Sequence, residues 1–220
     1  MSRRFHVLAI VSVPLVVLAF NVRLLASDGY LRLAFARPGL TEAPGFSAEE
    51  RWAAASVSTR FVVSTAGSRT LAELRHRDQP LYTPEEIAHL VDVQRLVLLI
   101  TGLGLAGALL LAVAVLSRLR GADRARLGLA LRRGGWLCVA LVMVPGLGVL
   151  LAWPLAFTRF HEVLFAPGTW QFPPDSSLIR LFPERFWFDA AVLLLGLIVA
   201  QGLALALVGR GMAGGRPAGR

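Results

Sequence analysis

Four stretches of the chain are apolar with almost no interruption: Phe5–Leu25, Leu96–Leu116, Trp136–Phe157 and Phe188–Val208. A half-buried helix in water would alternate apolar and polar faces with a period near 3.6 residues, and these runs show no such alternation. About 20 residues at roughly 1.5 Å each cross the hydrocarbon core of a bilayer, so each run predicts a transmembrane helix. The second helix starts before its apolar run. "YTPEEIAHLVDVQRLVLLI" (82–100) opens with Thr83 as an N-cap, Pro84 at the first helical position and Glu86 closing a capping box. Its first turns therefore project beyond the apolar run and carry Glu85, His89 and Asp92 along one stripe. The expected helices cover about 5–25, 84–117, 134–157 and 187–208. The fold class is an all-α polytopic membrane protein, one membrane domain over 1–220.

The polar stretches between the runs differ in character. In 27–83, "RPGLTEAPG" (37–45) is turn material. After it Phe46, Ala53, Val57 and Phe61 recur at helical spacing, with Trp52 beside them and Glu49, Glu50 and Arg51 between. Such a helix either lies flat on the membrane surface or packs over the bundle. The stretch 158–186 is an aromatic loop; with the helix ends beside it, it holds Trp170, Trp187 and six Phe, which suits a membrane interface. Its Pro-Pro-Asp and Phe-Pro-Glu turns predict a defined fold, with Pro183 opening the fourth helix. Inside the spans, "GLGLAG" (102–107) matches a dinucleotide-binding pattern but has no strand before it. Gly102 and Ala106 are instead expected as a small-residue packing pair. Pro145–Gly146 predicts a kink, and Gln201 an interhelical hydrogen bond or a substrate contact.

Charge orients these helices. The formal net charge is +9, and every basic residue counted is Arg. Arg3 and Arg4, the loop 118–133 with Arg118, Arg120, Arg124, Arg126, Arg132 and Arg133, and the tail 209–220 with Arg210, Arg216 and Arg220 are offset by one acid, Asp123. Elsewhere Arg and acids nearly balance. The positive-inside rule then places both termini and loop 118–133 in the cytoplasm, and 27–83 and 158–186 outside. A nucleic-acid partner would want those Arg on one soluble face, so none is expected. The N-terminal apolar stretch exceeds the roughly 7–15 residues of a signal-peptide core, so it is expected as a retained helix. The lone cysteine, Cys138, lies inside the third span and has no partner for an internal disulfide.

Few polar groups remain to carry chemistry. Of the four histidines, His6 sits at a helix end and His76 in the charge run "RHRD". His89 precedes the apolar run of the second helix and His161 follows the third, which puts both at the same outer face. They are either an acid–base pair or two unrelated interfacial histidines. A metal set is the next candidate, from His89, Asp92, His161 and Glu162. However, H-E-x-x-H is incomplete, because Phe165 stands where the second His belongs, and no metal site is expected. There is no G-x-S-x-G, and Ser176 and Ser177 are explained by a turn.

At these residues a family resemblance appears. "FHEVLFAPGTWQFPPDSSLIRLFPERFW" (160–187) resembles the signature loop of the lipoprotein intramolecular transacylases, with its Phe-His pair, Trp-x-Phe-x-Pro step and Asp. "YTPEEIAHLVDVQRL" (82–96) resembles that family's other marked segment, and the four helices fit as well. The resemblance implies an enzyme of the bacterial cytoplasmic membrane acting on a diacylglyceryl lipoprotein among membrane lipids. It would move the sn-2 acyl chain from glycerol to the α-amine of the N-terminal cysteine, with no cofactor. On that reading His89 and His161 are the acid–base pair, in unassigned roles, and Asp92 tunes His89. Arg159, Trp170 and Asp175 are candidates for binding the headgroup or oxyanion. Two other readings stand beside it: a non-enzymatic sensor, assembly or transport subunit with an outer binding loop, and a metal-dependent membrane hydrolase.

Overall fold

The computed structural model describes residues 3–116 and 124–214. Arg118, Arg120 and Asp123 of the expected cytoplasmic loop, and Arg216 and Arg220 of the tail, lie outside the described residues. The elements in order are α1 (Arg3–Leu25), α2 (Asp28–Phe35), α3 (Ala48–Val62), α4 (Arg69–Ala72), β1 (Arg75–His76), β2 (Gln79–Pro80), α5 (Pro84–Leu116), α6 (Arg124–Leu151), α7 (Trp153–Leu164), α8 (Ser177–Leu181) and α9 (Glu184–Gly214). Among the described residues, four helices are long and apolar enough to cross a membrane: Phe5–Leu25, Pro84–Leu116, Arg124–Leu151 and Glu184–Ala213. The chain is a multi-pass membrane protein. The third helix departs from the expected 134–157. It starts ten residues earlier, passes through Pro145, and ends at Leu151, where a separate α7 takes over.

The chain forms two compact units. One combines the described parts of Met1–Asn21, Ile100–Leu147 and Leu194–Arg220. Its helices approach most closely at small residues. A Cβ placed on Gly135 would lie 2.3 Å from the Gly202 carbonyl oxygen, and one on Gly209 2.4 Å from that of Gly128. The α6 and α9 backbones therefore touch at two levels, seven residues apart on each helix, and only Gly admits that approach. On α5 the contact glycines are Gly104 and Gly107, facing Ala19 and Ser12 of α1. Gly102, expected as a packing residue with Ala106, faces open space, and Ala106 is exposed. The expectation erred because it took a spacing of four for the contact face. Cys138 packs with Val13, Val17 and Ile198. Gln201 exchanges two hydrogen bonds with Asn21, at 2.8 and 3.2 Å, and Asn21 also donates to the Val17 carbonyl.

The second unit is Val22–Leu99 with Gly148–Leu193. Its core gathers Leu31 of α2, Phe61 of α3, Leu71 of α4, Tyr82, Leu90 of α5, Leu181 of α8 and Phe186 of α9. α3 starts in a capping box, Ser47 with Glu50, and is covered on most sides. It is thus a packed core helix of its unit. Of the expected apolar stripe, Phe61 is buried and Phe46 and Val57 are half-buried, but Ala53 is exposed; Ala54, Ala55 and Ser58 are buried as well. Arg51, counted among the polar positions, is buried. Its guanidinium donates to the carbonyls of Leu40 and Leu181 and lies 3.7 Å from the Phe35 ring centroid. A buried cation needs compensation, and two carbonyls and a ring face supply it here, while Nε is buried without a hydrogen-bond partner among the described residues. The β1–β2 hairpin turns on Arg77 and Asp78, both at positive φ. It carries His76, which stacks on Phe46 at 4.3 Å and contacts the Gly45 carbonyl oxygen at 3.0 Å.

Candidate active site

The candidate site lies within the second unit. α7 owes its separate existence to Pro154, which lacks an N–H to continue the ladder of α6 and crowds the preceding turn. The break falls at Ala152, with φ −147° and ψ 55°. Beyond it Trp153, Phe157, His161 and Phe165 follow at intervals of four, so they share one face. Successive ring centroids are 5.3, 4.1 and 5.5 Å apart. His161 therefore sits on a helix, in an aromatic row, not in a loop.

The ring of His161 is oriented by its own helix. Nδ1 lies 2.8 Å from the Phe157 carbonyl oxygen, which can only accept, so Nδ1 carries the hydrogen. The neutral ring then has its lone pair on Nε2. Burial holds the His161 pKa below the ordinary histidine value, against an opposing contribution from the Phe157 carbonyl.

His89 stands across from it. The two imidazole centroids are 6.2 Å apart with ring planes at 25°. His89 is buried, with Phe165 edge-on at 5.0 Å and Phe172 at 5.5 Å. Its Nδ1 is buried and has no hydrogen-bond partner among the described residues.

One turn before His89, the capping box does more than start α5. Glu86 Oε2 accepts the Thr83 N–H at 2.8 Å, and Thr83 Oγ1 accepts the Glu86 N–H at 3.2 Å. The other carboxylate oxygen, Oε1, accepts the N–H of Leu178 in α8 at 2.8 Å. Ser176 caps α8, and Leu178 and Leu181 anchor it in the core. The aromatic loop is thereby pinned to α5, and it brings Trp170 to 4.8 Å from His161 and Phe172 onto His89.

Of the residues expected from sequence, His89, His161 and Trp170 come together. Asp92 does not bond His89; its carboxylate pairs with Arg95 at 3.0 Å. Arg159 pairs with Glu162 at 2.7 Å on the exposed side of α7. Asp175 is exposed, just ahead of the α8 cap. Among the described residues no three His, Cys, Asp or Glu side chains gather as a metal would require. The bond from Glu86 to Leu178 and the roles of Phe157, Phe165 and Phe172 were not anticipated; for Glu86 only the cap was. Phe165 had a signal, since it occupies the i+4 position that lines up with His161.

Two facing imidazoles walled by aromatic rings are a setting suited to proton transfer to and from an oily substrate. The comparisons agree in family and fold. The chain is 24% identical over 201 residues, 87% of both chains, to an uncharacterized protein of Aquifex aeolicus (strain VF5). It shares its fold with the membrane integral lipoprotein intramolecular transacylase Lit from Bacillus cereus, with a TM-score of 0.79 at 17% identity over 96% of this chain and 94% of that one. A form of that protein with a histidine replaced by arginine superposes with a TM-score of 0.74 at 17% identity, covering 96% and 91%. The family model for lipoprotein intramolecular transacylase Lit matches residues 7–187, and the chain belongs to that family.

Proposed function

We propose that this protein moves an acyl chain within a single diacylglyceryl lipoprotein, from the glycerol sn-2 oxygen to the α-amine of the N-terminal cysteine. The observation that carries this reading is the facing pair of imidazoles, His89 and His161, among the rings of Phe157, Phe165, Trp170 and Phe172. The amine nitrogen attacks the ester carbonyl carbon, a C–N bond forms and the ester C–O bond breaks. His161 Nε2, the free nitrogen of the neutral ring, takes the proton from the amine. His89, protonated at the start, delivers a proton to the departing glycerol oxygen, and the proton taken up by His161 restores it. The products are an amide and a free hydroxyl, with no net proton change. Donor and acceptor share one lipid, so holding it bent supplies much of the acceleration, up to about 7–11 kcal/mol for well-oriented intramolecular reactions.

Trp170 walls the reacting centre. Asp92 acts on His89 through its field, across one helical turn. Arg159 and Asp175, both exposed, contact the lipoprotein's headgroup and peptide. The Arg distribution supports an orientation with both termini in the cytoplasm and the histidines outside, in the bacterial cytoplasmic membrane.

Mass spectrometry of a lipoprotein N-terminus tests this in cells lacking other N-acylation, complemented with wild type, His89→Ala or His161→Ala. Wild type is expected to give the N-acyl lyso form, and each variant, present at equal protein level, the unmodified diacyl form. Lyso product at wild-type level from either variant would overturn the reading.

A further inference from the structure

Away from the histidines, a second polar cluster lies where α9 enters the membrane. The run 190–209 has no charged side chain, and at about 1.5 Å per residue it matches the roughly 30 Å of the hydrocarbon core. Asp189 therefore marks the edge of that core, at the level of lipid phosphates. Its carboxylate is buried and shared by two arginines. Arg185 Nε bonds Oδ1 at 2.9 Å, and Arg37 NH1 lies 3.4 Å from Oδ2. Asp189 is 6% exposed, whereas Arg37 and Arg185 are 52% and 59% exposed. Among the described residues neither guanidinium has a second carboxylate, so the cluster keeps one positive charge in excess and turns its spare donors outward.

Its surroundings suit a lipid. Leu33, on the last turn of α2 and close in sequence to Arg37, is 62% exposed. Tyr30 adds a buried hydroxyl with no hydrogen-bond partner among the described residues. Burial, and after it the Asp189 carboxylate, push this phenol up to about 12, so it stays a donor. Arginine forks match phosphate oxygens.

We infer that Arg37 and Arg185, held on Asp189, form a binding site for the phosphodiester of an anionic phospholipid. The single excess charge matches a phosphodiester without a counter-charge. A zwitterionic headgroup would bring its own ammonium against the guanidiniums. The lipoprotein substrate has no phosphate at its diacylglyceryl group, so this site is separate from the transacylation centre and does not depend on that activity.

The test is native mass spectrometry of the full chain released from nanodiscs of equal phosphatidylglycerol and phosphatidylcholine. Wild type is expected to retain phosphatidylglycerol preferentially. Arg37→Gln leaves the Arg185–Asp189 bond within α9 intact, and with it the fold, and is expected to lower that retention roughly fivefold. Asp189→Asn raises the cluster's charge by one and is expected to increase it. Adding inorganic phosphate separates the two sources of a phosphate group. Lipid that stays bound in its presence supports a headgroup site, and displacement by phosphate overturns it. Equal retention of both lipids, or a preference that neither substitution moves, also overturns it.

Discussion

Glu86 Oε1 and the backbone N–H of Leu178, 92 positions apart in the chain, meet at 2.8 Å one turn before His89. The same carboxylate closes the capping box with its other oxygen. One side chain thus starts α5 and fastens to it the loop that carries Trp170 and Phe172. Glu86→Ala leaves the buried Leu178 N–H without an acceptor, at a cost of about 1–3 kcal/mol, besides loosening the cap. Glu86→Gln keeps one acceptor oxygen and sets an NH2 against the other donor. Thermal unfolding in detergent is expected to rank wild type above Gln above Ala. Lyso-lipoprotein formation should fall in the same order as the aromatic wall loosens.

The pH profile follows from His161. Its folded pKa is held below the ordinary 6.5 by burial, so the neutral base survives to lower pH than an exposed histidine would. The substrate α-amine, with a pKa near 7.7–8.0, titrates first as pH falls. Because His89 must carry the proton it delivers, its falling protonated fraction offsets the gain in neutral amine, so log kcat/KM is expected to be level between about 6.5 and 8 and to fall on either side. The acid limb should begin only below about 6.5, the ordinary histidine value. His161→Ala should remove that acid break along with most of the activity. Stability has the same sign on the acid side. The unfolded chain takes up the proton more readily, so the contribution of His161 is present above its unfolded pKa and is lost as pH falls below it. An acid break above 6.5 would show that burial does not govern this ring.

How far the chain could be read ahead of its structure depended on whether the signal was local. The four spans, the Thr83–Glu86 capping box and the two histidines were legible because each is written in adjacent residues or in run length. Glu86 bonding Leu178, and Phe165 and Phe172 lining His89, pair distant segments, and no single-chain period encodes such pairings. Arg51 misled for the opposite reason. A charge beside Glu49 and Glu50 belongs on a wet face by default, and only carbonyls brought in from Leu40 and Leu181 make its burial tolerable. His161 was displaced from helix to loop because the apolar run ends at Phe157, while the helix bearing it begins anew at Trp153.

The Asn21–Gln201 pair is expected to couple α1 and α9. Gln201→Leu strands the Asn21 amide in an apolar setting with the Val17 carbonyl as its remaining partner. Intramembrane side-chain pairs of this kind contribute about 0.6–2 kcal/mol. A double-mutant cycle of Asn21→Leu and Gln201→Leu, followed by unfolding in detergent, should give a coupling energy in that range. The double variant should be closer to wild type than the sum of the singles. Strict additivity would show that the two amides do not depend on each other.

The glycines offer the sharpest contrast between positions of the same type. At Gly135 a new Cβ would lie 2.3 Å from the Gly202 carbonyl oxygen and 2.8 Å from the Ala206 nitrogen. Both are backbone atoms, so no rotamer change relieves the clash and α6 must move away from α9. Overpacking of this sort costs about 1–3 kcal/mol. At Gly102 and Gly196 nothing lies within 4 Å of the same atom. There Ala gains up to about 1 kcal/mol of helix propensity, measured for helices in water. Thermal midpoints in detergent are expected to fall for Gly135→Ala and Gly209→Ala, and to hold or rise for Gly102→Ala and Gly196→Ala. A common shift at all four positions would mean that glycine acts here through the unfolded chain and not through the α6–α9 contact.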